Sequence, residues 1–276
     1  MPLSRSVLLG ALAGLLLAVA AALAWVMLLA PGADAAGETL PLPPALPRLA
    51  AGPEYEACLG LTGQDPDAAR VQAERWEAAG GGEAARHCLG LAMLAQGDAA
   101  RAAQGLDSLA ARSAAPVAVR PAIFGQAGQA WMIAGQPGRA FAATTMGLVL
   151  LPDDIELLTD RALVQAALGR NADAAADLDR VLTLDPRRAE ALVLRAAAKR
   201  RMDRIAEAEA DITRALTLGA DNAEALLERG IIRQLRGDTG GARADWERAL
   251  ALAPDTATAD LAQQNLALSE AGPQRR

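Results

Sequence analysis

The sequence predicts an all-α fold, an open solenoid of stacked helix–turn–helix units closed at its C-terminal end by a capping helix. Three observations predict it. A step of 34 residues separates Pro152, Pro186, Ala220 and Pro254, and the same step separates Gly135, Gly169, Asp203 and Gly237. Between those columns the text returns almost verbatim, as Ala-Asp-Leu-Asp-Arg-Val-Leu at 176–182, Ala-Asp-Ile-Thr-Arg-Ala-Leu at 210–216 and Ala-Asp-Trp-Glu-Arg-Ala-Leu at 244–250. Finally, 52% of the residues are hydrophobic but only 3% are aromatic, and much of the apolar fraction is alanine, which suits closely packed helices better than a β-rich core.

Each unit reads as a helix of roughly 14 residues, a break at the glycine, a second helix of similar length and a proline-containing turn. The column Ala140, Ala174, Ala208 and Ala242 lets two helices approach closely, while Leu and Val at helical spacing fill the seam. One such pair cannot bury its apolar face alone, so neighbours must stack.

A 34-residue period with these columns resembles the tetratricopeptide repeat family. The resemblance covers about residues 83–270 firmly and 49–82 weakly, and implies a right-handed superhelix. Six units begin near Leu49, Glu83, Pro121, Ile155, Ala189 and Ala223. The first is degenerate, with helices near Glu54–Thr62 and Asp67–Ala79 and no Leu-Gly pair. The second carries Leu89-Gly90, Gly97-Asp98, Ala102 and Leu106 but ends in a longer turn through Arg112 to Arg120. After Pro254, residues 256–270 make one unpaired amphipathic helix, the polar-faced cap that an open solenoid needs, and 271–276 form a tail. The family's aromatic slots are not kept. Where it often has Trp, this chain has Arg86, Phe124, Leu158, Leu192 and Leu226. Where it often has Tyr, it has Met93, Trp131, Gln165, Lys199 and Arg233.

Ahead of the repeats, Val7–Ala30 is an uncharged run of 24 residues following Arg5 and ending at Pro31-Gly32. That length spans a bilayer core as a helix, Trp25 suits an interface, and Arg5 favours a cytoplasmic N-terminus. Residues 1–35 therefore read as a transmembrane anchor or, with Ala33-Asp34-Ala35 as cleavage site, as a signal peptide. Both readings place the repeats outside the cytoplasm. Residues 36–52, with Pro41, Pro43, Pro44 and Pro47, form an extended linker.

The composition also excludes function classes. A net charge of −6 with no dense basic tail argues against nucleic-acid binding. A single histidine and two cysteines without paired ligand spacing provide no metal site, and neither a Gly-x-Ser-x-Gly elbow nor a phosphate loop is present. Asp153-Asp154, Asp173 and Asp177 read as solvated carboxylates. No catalytic, metal or cofactor-binding residue is expected, and the protein is read as a non-enzyme without a cofactor.

The register implied by the resemblance places Cys58 and Cys88 on the first helices of neighbouring units. There they either form a disulfide stapling the degenerate unit to the array or remain two separate buried thiols. The concave face, lined by the first helix of each pair, gives a candidate peptide groove of His87, Leu91, Gln129, Met132, Ile133, Leu163, Val193, Ala197, Arg200, Arg201, Leu227, Ile231, Gln234 and Leu235. Arg195, Lys199, Arg200, Arg201 and Arg204 form the one dense basic cluster. It is either a solvated face paired with Glu190, Glu207 and Glu209 or a contact for a partner's carboxylate. Trp76, Phe124, Trp131, Phe141 and Trp246 are expected as core wedges.

Taken together, these features predict an exported, periplasmic or extracytoplasmic scaffold that holds partner peptides or helices of other proteins, in the manner of an assembly factor for an envelope complex. The alternatives are a self-associating structural module and an accessory subunit of an envelope enzyme complex.

Overall fold

A computed structural model of the protein describes residues 49–271. The expected anchor or signal at 1–35, the linker as far as residue 48 and the tail from 272 lie outside the described residues. Among the described residues the chain is all α, with 13 helices and no strand. No described helix is long and apolar enough to cross a membrane. The helices are α1 Pro53–Gln64, α2 Pro66–Ala78, α3 Gly82–Ala95, α4 Ala99–Arg112, α5 Arg120–Ile133, α6 Pro137–Leu150 and α7 Ile155–Ala167. They continue as α8 Asn171–Leu184, α9 Ala189–Arg201, α10 Ile205–Leu218, α11 Ala223–Leu235, α12 Thr239–Leu252 and α13 Ala257–Ala271.

Local chemistry starts and stops them. Asp65, Asp98, Asp154, Asn222 and Asp238 accept a backbone N–H at the starts of α2, α4, α7, α11 and α12, which satisfies one otherwise orphaned donor in each first turn. The turn inside each regular unit is also chemically repeated. Gly97, Gly135, Gly169 and Gly237 take φ between 70° and 85°, and Asp203 takes the same left-handed conformation at 62°. The next residue then donates back to the carbonyl five positions earlier: Arg170 to Gln165 at 2.8 Å, Arg204 to Lys199 at 2.9 Å and Asp238 to Arg233 at 2.9 Å. These bonds cap the first helix and turn the chain into the second.

Each helix packs on its successor, and α5, α7, α9 and α11 also pack on the next first helix along, ending with α13 against α11 and α12. This is a stack of helix pairs with an unpaired final helix. Small residues set the close approach. A Cβ on Gly128 would run into the Thr144 side chain, and one on Gly230 into the indole of Trp246, whose Nε1 donates to the Leu227 carbonyl at 3.2 Å. The core follows the stack, from Ala103 to Trp131 in the second and third units and from Leu157 to Ala225 in the fourth to sixth.

Two expectations need correction. Phe124, Trp131 and Trp246 are buried wedges, but Trp76 and Phe141 are half-buried, and the Arg170 guanidinium lies 5.0 Å over the Phe141 ring. Asp177 is not a solvated carboxylate. It is 8% exposed and accepts two hydrogen bonds from Arg161, because α8 turns that face toward α7 rather than toward water.

Candidate interaction face

The first helices of the units, α3, α5, α7, α9 and α11, carry all the candidate groove residues, which differ in exposure. Gln129, Ile133, Leu163, Arg201, Gln234 and Leu235 are exposed; Leu91, Met132, Ala197, Arg200 and Ile231 are half-buried. His87, Val193 and Leu227 are buried.

Two of the exposed set, Leu163 and Arg201, border a cavity of about 310 Å³ between α7 and α9, with Ala174 and Leu178 of α8 behind it. Leu163, Ala166 and Ala167 line it from α7, and Leu194, Ala197 and Arg201 from α9. Alanine at three of these six positions keeps the depression open, since larger side chains there would fill it. Arg201 has no carboxylate within ion-pair distance among the described residues, whereas its neighbour Arg200 donates to Glu228 at 2.5 Å. Glu228 is itself buried, so Arg200 serves that carboxylate and not the cavity.

The rest of the basic cluster is likewise engaged. Arg195 binds Asp211 and Asp179, Lys199 binds Asp211 at 2.8 Å, and Arg204 binds Glu207. Of the acidic partners expected for this cluster, Glu207 pairs with Arg204 and Glu190 lies 3.3 Å from Arg188, but Glu209 pairs with Arg236.

One acidic group on this face is not neutralised. Asp160 on α7 accepts from Gln129 Nε2 at 3.1 and 3.3 Å and has no cation within ion-pair distance among the described residues. Burial, only partly offset by that hydrogen bond, pushes its carboxyl up to about 6, and Glu156, Glu190 and Asp154 add to the rise.

At the N-terminal end, His87 sits between Tyr55 and Gln126. Its Nδ1 lies 2.7 Å from the Tyr55 hydroxyl and its Nε2 lies 2.7 Å from Gln126 Oε1. The amide oxygen can only accept, so the imidazole carries its proton on Nε2 and accepts the Tyr55 O–H at Nδ1. Burial lowers its pKa and holds it neutral. Beside it, Cys58 of α1 and Cys88 of α3 are joined by a disulfide with Cα atoms 6.2 Å apart, both fully buried and packed with Ala73. Tyr55, Gln126, Asp160, Glu228 and Asp211 did not stand out in the sequence. The first four stand 28 to 39 residues from partners on other units, whereas Asp211 stands 16 and 12 residues from Arg195 and Lys199 of its own unit. Among the described residues no group of three His, Cys, Asp or Glu is placed to hold a metal ion.

Residues 129–199 match the family model described as Tetratricopeptide repeat. No curated protein sequence matches the chain. Among solved structures, one described as a functional characterization of Pseudomonas aeruginosa pilF is 14% identical and superposes with a TM-score of 0.58 over 77% of this chain and 96% of its own. The Cut9–Hcn1 hetero-tetramer of the APC/C gives 16% identity and a TM-score of 0.57 over 77% of this chain, which spans 43% of that one. MamA from Desulfovibrio magneticus RS-1, residues 41 to the end, gives 16% identity and 0.52 over 75% of this chain and all of its own. At these identities the likeness is one of fold. The family match lies within the recurring helix pairs, and stacked pairs of the same kind run through the described residues.

Proposed function

We propose that the protein is an exported, non-catalytic scaffold that holds a segment of a partner protein against the first helices of its repeats, as an assembly factor of the cell envelope would. Tetratricopeptide repeats are, as a class, protein–protein interaction modules and typically non-catalytic. The observation that carries the reading here is the cavity between α7 and α9, apolar in its walls and edged by Arg201, which has no ion-pair partner among the described residues. On the first helices of the flanking units, Ile133 of α5 is 67% exposed and Leu235 of α11 is 60% exposed. Exposed apolar side chains aligned over several units mark a contact surface rather than scattered surface leucines. They favour an extended or helical peptide over a small charged metabolite.

Export is supported by two features: the 24-residue apolar run Val7–Ala30, as anchor or signal, and the Cys58–Cys88 disulfide, which an oxidising compartment sustains. Selection of a randomised displayed peptide library on the full chain tests the reading. Peptides recovered should lose binding at least tenfold with Leu163→Glu or Ala197→Glu and keep it with Thr183→Glu on α8. Peptides indifferent to both groove substitutions, or a stable dimer that buries Leu163, would replace the scaffold reading with self-association.

A further inference from the structure

The second unit is built differently from the fourth to sixth. In the fourth to sixth units the space between the paired helices holds an ion pair: Arg161 with Asp177, Arg195 with Asp211, Arg229 with Asp245. The corresponding positions of the second unit are Leu89 on α3 and Gly105 on α4. One turn earlier, where Phe124, Leu158, Leu192 and Leu226 are buried in the other units, stands the exposed Arg86. A Cβ on Gly105 would meet nothing within 4 Å. The result is a cleft of about 470 Å³ between α3 and α4, of the size that small-molecule sites occupy.

Its chemistry is two-sided. Leu89, Met93 and Leu109 supply an apolar lining, and the guanidiniums of Arg86 and Arg112 stand at its edge. Among the described residues neither guanidinium has a carboxylate within ion-pair distance; Arg86 donates to the Gly82 carbonyl. Arg101 is taken up by Asp98. Glu83 is occupied by the Ser113 hydroxyl at 2.6 Å and the Ala114 N–H at 2.9 Å, leaving Glu77 as the other acidic group of the lining. In the fourth to sixth units a buried aspartate brings the negative charge to this layer. Here an empty apolar space is edged by Arg86 and Arg112, neither of them ion-paired among the described residues, which leaves a place for an anion from outside.

We infer that the α3–α4 cleft is a binding site for a small amphipathic carboxylate. Its apolar body packs among Leu89, Met93 and Leu109, and its carboxylate is forked by Arg86 and Arg112. A guanidinium offers parallel N–H donors that match a carboxylate, and the apolar lining rejects a ligand that is all charge. The site uses none of the residues of the proposed peptide groove.

Calorimetric titration of the full chain in lipid nanodiscs with 4-phenylbutyrate tests this, with acetate and 4-phenylbutylamine as controls. Expected is saturable binding of one 4-phenylbutyrate per chain, weakened at least tenfold by Arg86→Gln with Arg112→Gln, and no binding of either control. Gly105→Leu fills the cleft and should abolish binding with an unchanged or higher melting temperature. Should that variant fail to fold, Ser108→Trp at the same wall takes its place. The assignment is overturned if 4-phenylbutyrate does not saturate, if the amine binds equally well, or if the folded, filled variant binds as before.

Discussion

Arg195 forks the Asp211 carboxylate sixteen residues further on, Nε to Oδ2 at 2.9 Å and Nη2 to Oδ1 at 2.5 Å. The same pair recurs one unit earlier as Arg161–Asp177 at 2.8 and 2.7 Å and one unit later as Arg229–Asp245 at 2.8 and 2.6 Å. In the fifth and sixth units a second cation joins it, Lys199 on Asp211 at 2.8 Å and Arg233 on Asp245 at 2.7 Å. All three carboxylates are buried. The array is therefore held between its paired helices by ionic layers as well as by alanine packing.

Removing the anion from such a layer should cost more than the layer contributes. Asp211→Ala leaves Lys199 buried and takes one of two carboxylates from Arg195, so destabilisation by about 3 kcal/mol is expected in urea unfolding. Replacing all three together, Arg195→Met, Lys199→Met and Asp211→Leu, should come within about 1 kcal/mol of the parent, because the desolvation of the charges disappears with their attraction. Equal losses in the two variants would contradict this.

The fourth unit lacks the second cation. Gln165 occupies the position of Lys199 and Arg233, is 5% exposed, and its Oε1 has no hydrogen-bond partner among the described residues. Gln165→Lys should bring an ammonium to Asp177 as Lys199 is brought to Asp211. It removes an unsatisfied acceptor and should raise stability by about 1 kcal/mol. A fall in the melting temperature would show that the neighbouring first helices leave no room for the longer chain.

These layers show what the sequence could and could not say. The turns were legible because they depend on one residue each. A 34-residue column of glycines marks a left-handed turn, and Asp203 in that column adopts φ 62°, as Asp tolerates better than most side chains. The buried aspartates were not legible, because a single Asp on a helix reads as solvated. Its burial depends on an Arg in the preceding helix that is visible only when the columns 161, 195, 229 and 177, 211, 245 are read together. The His87 contacts were hidden for a different reason. Tyr55 and Gln126 stand 32 and 39 residues away, out of phase with the period, since the first unit is irregular and four extra residues follow α4. Val193 and Leu227 fall at groove positions by register but are buried in the structure, and the register alone carries no signal of that.

The disulfide makes a local prediction. It closes a span of 30 residues, for which the chain-entropy relation gives about 3–4 kcal/mol. In a solenoid each unit touches only its neighbours, so the loss on reduction should stay at the N-terminal end. Hydrogen exchange of the Cys58→Ala, Cys88→Ala double variant should quicken in α1 to α3 and remain unchanged in α9 to α12. Uniform quickening along the array would mean that the units unfold as one.

Asp160 gives the array a pH dependence of known sign. Its folded pKa of about 6 exceeds the ordinary 3.8, so between those values the native state holds the proton more tightly than the unfolded chain. Its contribution to stability is therefore most favourable below about pH 4, falls as pH rises to about 6 and stays low above that. Asp160→Asn keeps an acceptor for Gln129 and removes the penalty. It should stabilise at pH 7 by about 1–2 kcal/mol, reduced from the full shift because the carboxyl is partly open to water, and by nothing measurable at pH 3.5. A gain of equal size at both pH values would attribute the effect to packing instead. The same carboxylate bears on the proposed groove. A Lys or Arg of a bound segment reaching Asp160 would lower its pKa and release a proton, so such a segment should bind more tightly at pH 7 than at pH 5, and Asp160→Asn should abolish that difference.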